Sequence, residues 1–220
     1  DYSTRIQGVN EIFEVTTKPL IFDADNGGRI EHLPYLIKSL ERIGVSAVVL
    51  EDKIGLKRNS LFQNQKKIKQ DTIKSFCKKI KVSKKSRITN DLMIVARIES
   101  LILKKGLNDA LKRAEAYSSA GADAILIHSK EKTPFEIFKF AKRFIKSKFA
   151  KPMIAVPSTY SKTREKDLIK NGFKVVIYAN HLLRASYPAM LKTANTILMK
   201  GRAFESDKTI ASIKEILELV

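Results

Sequence analysis

Cysteine is all but absent from these 220 residues; Cys77 stands alone. A single cysteine excludes an intrachain disulfide and a cysteine metal cage, and it fits a reducing, cytoplasmic setting. Long apolar runs are missing too, since no stretch reaches the roughly 18 residues of a membrane-spanning helix. No signal-peptide pattern opens the chain, and no membrane partner is expected. Acidic side chains are scarce beside basic ones, 23 against 42, which leaves a net charge of +19. Lysine supplies 31 of those 42 cations. Aromatic residues do not alternate with the lysines, as a stacking platform for nucleic acid would require. The lysines gather in helical stretches such as 66–69, 78–85 and 139–148. They read as solvated helix faces, so no nucleic-acid partner is expected. The excess charge can still steer an anionic substrate.

What the chain does have is a repeated pattern. Six apolar runs of strand length end on polar or charged residues, and a helical stretch follows each. They are PLIFDAD (19–25), SAVVLED (46–52), LMIVARIE (92–99), DAILIHS (123–129), PMIAVPSTY (152–160) and KVVIYAN (174–180). Strand–helix alternation predicts a parallel sheet, and no composition break divides the chain into two domains. In a parallel β/α barrel the carboxyl ends of all strands meet at one mouth, where the chemistry is done. The pattern therefore gathers Asp23, Asp25, Glu51, Arg97, His128 and Asn180. Helices are expected over 32–43, 71–80 (capped by Asp71), 107–120, 133–148, 162–171, 181–200 and 206–220. Thr133, Pro134 and Glu136 form a capping-box pattern. Residues 81–90 read as a solvated connector, and 51–70 is too long and polar for an ordinary βα connection. Six βα units do not close an eight-stranded barrel.

Asp23 and Asp25 bracket one residue at a strand end, and alternation would point both carboxylates the same way. Two like charges held so close call for a cation. Mg²⁺, with its oxygen ligands and retained waters, suits them, and Glu51 adds a third carboxylate. Against this, one Asp capping a helix beside a solvated one is the plain structural reading of D-x-D. Arg97 ends an otherwise apolar strand and can pair with Glu99, or bind a carboxylate or phosphoryl group in bidentate fashion. His128 is either a satisfied core histidine or a substrate contact.

Residues 51–60, EDKIGLKRNS, match the E-D-K-x₅-N-S fingerprint of the phosphoenolpyruvate mutase family, within the isocitrate lyase superfamily. The block 96–130, VPSTY (156–160) and YANHLLRASYPAM (178–190) also resemble that family, so the likeness runs over nearly the whole chain. The resemblance implies a (β/α)₈ TIM barrel with about six of its eight units in this chain. It implies Mg²⁺-dependent interconversion of phosphoenolpyruvate and phosphonopyruvate, the C–P bond-forming step of phosphonate biosynthesis. By the same resemblance Asp23 is the direct metal ligand, and Asp25 and Glu51 hold the metal's water shell. Arg97 contacts the phosphoryl group, and His128 shapes its pocket. Lys57, Asn59 and Ser60 sit on a gating loop spanning 51–70. The family's C-terminal helix exchanges between subunits, so a homo-oligomer (dimer or tetramer) is implied, with 206–220 as the exchanged helix.

The resemblance has departures. The family barrel begins with two further units, one carrying a glycine/serine strand end for the substrate carboxylate and one a further acidic loop residue. Neither is found in these 220 residues, and activity of this chain by itself is in question. Phosphonopyruvate hydrolase shares the barrel and metal site, and Asn59 favours the mutase because the hydrolases carry a different residue there. Carbon–carbon lyases of the superfamily need a cysteine on the loop, and 51–70 has none. A degenerate barrel with a structural or interaction role is the non-enzymatic alternative.

Overall fold

The computed structural model describes residues 2–55 and 69–219. They divide into two compact units, Asp1–Ile177 and Tyr178–Val220. The first unit runs α1 (Tyr2–Val15), β1 (Ile21–Asp23), α2 (Leu33–Arg42), β2 (Ala47–Glu51), β3 (Lys53–Ile54) and β4 (Lys69–Gln70). It continues with α3 (Ile73–Ser86), β5 (Met93–Ile98), α4 (Gly106–Ser119), β6 (Ala124–Ile127), α5 (Phe135–Phe144), β7 (Met153–Ala155), α6 (Glu165–Lys170) and β8 (Phe173–Val176). The second holds α7 (His181–Lys200), ended by Gly201 at φ 65°, and α8 (Ile213–Leu217). The long helix expected over 206–220 is thus five residues, opened by a capping box between Ser212 and Glu215. The 14-residue α1, ahead of the first strand, is not among the helices expected from the sequence.

Six of the strands form one parallel sheet in the order β1-β2-β5-β6-β7-β8, the parallel α/β layout that strand–helix alternation predicts. Its two faces differ. Phe22, Val48, Leu50, Ile94, Ala96, Ile98, Ile125 and Ile127 join the large cluster with the helices, where Leu36, Leu40, Phe76, Ile80, Tyr117, Phe140 and Phe144 are buried. The alternate residues Ala47, Val49, Val95, Ala124, Leu126 and Ile154 form a smaller cluster on the other face. Two-residue periodicity in β and the i, i+3, i+4 spacing in α account for both.

Three local expectations need correction. Residues 81–90 are not a connector throughout, because α3 runs on to Ser86. Phe76, Ile80 and Ser83 keep one face of it buried, while Lys84 lays its stem along the surface and grips Asp123 at 2.7 Å. Thr72, not Asp71, caps α3, its hydroxyl accepting from the Ser75 amide, and Asp71 accepts from the Thr72 amide. The capping box at 133–136 does not form. α5 begins at Phe135, and the Glu136 carboxylate instead accepts a hydrogen bond from Ser129 Oγ at 2.6 Å.

Gly172 turns the chain from α6 into β8 at φ +88°, and a Cβ there would lie 2.5 Å from Ile145 Cδ1. The left-handed backbone alone costs a non-glycine residue roughly 1–2 kcal/mol, and the collision adds to it. Gly172→Ala is therefore expected to destabilise the fold by about 2 kcal/mol or more in urea denaturation.

Candidate active site

Strand register builds the site. Asp23 pairs with Val49, Glu51 with Arg97, and Arg97 with Leu126. Partners across a parallel ladder share a face, so Asp23, Glu51 and Arg97 continue the face of the small Val49–Val95–Leu126 cluster to its carboxyl end. His128 follows one residue past β6, in the same alternation. The sheet thus brings together four of the residues picked from sequence.

Asp25 reaches the site by a different route than alternation. β1 ends at Asp23, and Asp25 has a left-handed backbone (φ 54°), so the strand-face argument does not hold for it. Its amide donates to Asp23 Oδ1 at 3.0 Å, and its carbonyl accepts from the Glu51 amide at 2.7 Å. Its carboxylate accepts from Arg5 of α1 at 3.1 Å. Arg5 also donates to the Asp23 carbonyl, and the Tyr2 hydroxyl donates to the Ala24 carbonyl at 2.9 Å. Neither Arg5 nor Tyr2 carried any local signal in the sequence. Asn180 lies beyond the last strand, as the N-cap of α7 in the second unit. Lys57, Asn59 and Ser60 lie outside the described residues. The segment that carries them leaves and returns through β3 and β4, paired antiparallel with Lys53 opposite Gln70. Asn26 donates to the Gly55 carbonyl beside that stem.

The charges interlock. Arg97 Nε donates to Glu99 Oε1 at 2.6 Å and lies 3.8 Å from Glu51 Oε2. Lys53 Nζ stands 3.3 Å from Glu51 and 3.6 Å from Glu99. Glu51, Lys53 and Glu99 are all buried. Burial pushes the Glu51 carboxyl up; Arg97 and Lys53 pull against that, and Glu99 and Asp23 add to it. Burial works against the charge on Arg97, and Glu99 and Glu51 more than restore it.

Behind Glu51, Asp52 is fully buried and anchors a second network. Its Oδ1 accepts from the Glu99 amide at 2.9 Å. Its Oδ2 accepts from Tyr117 (2.7 Å), Gln70 (2.8 Å) and Arg113 (3.1 Å). Asp52 and Lys53 stand in the E-D-K triplet, which was their only sequence signal.

The donors fit Mg²⁺ in kind: Asp23, Asp25 and Glu51 offer hard carboxylate oxygens and no thiolate. Among the described residues no group of three or more His, Cys, Asp or Glu side chains is arranged as a metal cage. Mg²⁺ does not need one, since it is commonly held by one or two carboxylates and keeps several waters.

The model of the phosphoenolpyruvate phosphomutase family matches residues 1–198. The chain belongs to that family. A phosphoenolpyruvate phosphomutase of Tetrahymena pyriformis is 39% identical over 218 residues, covering 98% of this chain and 71% of the relative. The crystal structure of a phosphoenolpyruvate phosphomutase from Streptomyces platensis subsp. rosaceus superposes with a TM-score of 0.91 at 33% identity, over 97% of this chain and 73% of that one. A phosphonopyruvate hydrolase solved in complex with oxalate and Mg²⁺ is 34% identical, with a TM-score of 0.88 over 100% of this chain and 74% of that one. The six-stranded parallel sheet is thus the α/β architecture of the isocitrate lyase/phosphoenolpyruvate mutase superfamily, as the sequence led us to expect.

His128 in this family member is buried and uncharged at neutral pH. Burial and the Arg97 charge push it down to about 4 from 6.5, Lys53 adds to the fall, and Glu99 and a hydrogen bond to the Val156 backbone oppose it. Between those values the unfolded chain takes up a proton that the folded chain refuses, so stability is full above about pH 6.5 and falls as pH drops towards 4. At about 1.36 kcal/mol per unit, His128 is expected to remove about 2 kcal/mol between pH 7 and pH 5. Urea denaturation of the His128→Gln variant should lack that part of the pH slope.

Proposed function

We propose that this chain is a phosphoenolpyruvate mutase, catalysing intramolecular phosphoryl transfer between phosphoenolpyruvate and phosphonopyruvate with Mg²⁺. The observation that carries the reading is the strand-end group of Asp23, Glu51, Arg97 and His128 on one face, in a chain with the E-D-K-x₅-N-S fingerprint. Asn59 favours the mutase over the hydrolase, since the hydrolases it resembles carry a different residue there. Asp23 would hold Mg²⁺ directly, with Asp25 and Glu51 around its waters. When bound, the ion would supply Lewis-acid charge to the substrate oxygens.

The reaction breaks the P–O bond of phosphoenolpyruvate and forms a P–C bond to the former methylene carbon. No proton is consumed. The migrating group passes through a loose, metaphosphate-like state with charge on its oxygens. Arg97 binds that group, and the Glu99 contact at Nε fixes the plane in which its guanidinium presents itself. Uncharged His128 contributes a hydrogen bond rather than a second cation. Lys57, Asn59 and Ser60, in the segment between β3 and β4, would stabilise the phosphoryl group in transit and exclude water, which would otherwise give pyruvate and phosphate. The enzyme acts on a small-molecule substrate, as a homo-oligomer in the cytoplasm. Its product is a C–P compound that feeds phosphonate biosynthesis.

Phosphorus NMR of phosphonopyruvate with the protein and Mg²⁺ tests the assignment. Appearance of phosphoenolpyruvate, abolished by chelator, is expected; phosphate with pyruvate would make the chain a hydrolase. A folded chain that turns over neither compound would sink the catalytic reading. Arg97→Lys, which loses the planar fork, is expected to lower kcat/KM roughly 100-fold.

A further inference from the structure

We propose that Asp52 is a positioning residue, which sets the direction of the Arg97 side chain through Glu99. Asp52 follows Glu51 on the chain, so its side chain leaves the opposite side of the strand end, among α4 and β4 rather than in the site. There its carboxylate is fully buried and receives four donors from three other parts of the fold. Tyr117 and Arg113 stand one turn apart on α4, Gln70 closes β4, and the Glu99 amide lies just past β5. Among the described residues, Oδ1 serves the Glu99 amide and Oδ2 serves the other three.

The consequence runs outward. Glu99 has a fully buried carboxylate, and its backbone is tied to Asp52 Oδ1 at 2.9 Å. That carboxylate in turn accepts Arg97 Nε at 2.6 Å. A second tie runs from the Asp52 amide to the Arg97 carbonyl at 3.1 Å. Lys53, the next residue, reaches Glu51 and Glu99 from the same turn of chain. Both cations beside Glu51 thus take their placement from one buried acid.

Asparagine cannot replace it. The side-chain amide that Asp52→Asn introduces would have to face its NH₂ group to the Glu99 amide or to the Tyr117, Gln70 and Arg113 donors. Either way a donor meets a donor in a buried place, although the shape is nearly unchanged. Asp52→Asn is therefore a test of hydrogen bonding and charge, not of volume.

The inference rests on the proposed active site for its kinetic consequence, but its primary test does not depend on which reaction is catalysed. The measurement is the Arg97 Nε–H resonance in a ¹⁵N-resolved spectrum, identified by its loss in Arg97→Lys. In the wild type it should be protected from solvent exchange. In Asp52→Asn it should exchange at least about tenfold faster, while Tyr117→Phe, which leaves the Oδ1 contact in place, keeps it protected. A folded Asp52→Asn protein with an unchanged Arg97 signal overturns the proposal. Should that variant not fold, the wild type carries the test: along a urea series below the unfolding transition the Glu99 amide and the Arg97 Nε–H must gain exchange together. Exchange of one without the other overturns it as well. In the kinetic arm, Asp52→Asn should lower kcat/KM about tenfold and add almost nothing in an Arg97→Lys background. A merely structural role would give the same loss in both backgrounds.

Discussion

A charge buried at the end of a parallel sheet must be met by opposite charge or hydrogen bonds, and Glu99 is where that constraint is tightest. Its carboxylate has no exposure to solvent. Leaving such a group unpaired would cost several kcal/mol, more than most single contacts contribute. It is met by Arg97 and Lys53, and its amide is met by Asp52. Those partners are not arbitrary neighbours. Arg97 is register-paired with Glu51, and Lys53 reaches Glu51 as well. Satisfying one buried acid therefore fixes the two cations that stand over the candidate metal and phosphoryl positions.

The same requirement explains the sheet's two-sided character. The helix-facing side is apolar along its length and packs the large core. The opposite face is apolar only at its lower rungs, where Val49, Val95 and Leu126 lie together, and becomes ionic at the carboxyl end. Parallel strands place all those ends on one side, so a single change of residue type per strand is enough to create a site.

How much of this was legible depended on the range of the interaction. The strand–helix repeat is read locally, and its strand ends were enough to bring Asp23, Glu51, Arg97 and His128 to one end of the sheet. The Arg97–Glu99 contact, two residues apart, was also visible. Asp25 was chosen for a reason that fails, because the strand has already ended and the backbone is left-handed there. Arg5 was invisible, since its contact with Asp25 spans twenty positions and follows no periodic pattern. Asp52 was hidden for the same reason: its partners lie 18 to 65 positions away. The capping box at 133–136 had the right letters, but Ser129, two residues past β6, reaches Glu136 and takes the carboxylate elsewhere. Tertiary contacts override local motifs wherever a competing partner is brought within reach.

The scaffold does not by itself separate mutase from hydrolase, because family members of both kinds superpose on this chain closely. What the account requires is narrower: the acids at the β1 and β2 ends must bind a metal, and that metal must help hold the anionic substrate beside Arg97. Calorimetric titration of phosphonopyruvate tests this most directly, on the wild type and on Asp23→Asn, with and without Mg²⁺. The account predicts binding that needs the metal and weakens roughly 100-fold in the variant, the scale of losing a charge-assisted contact. Equal affinity without Mg²⁺, or an unaffected Asp23→Asn protein, would contradict it.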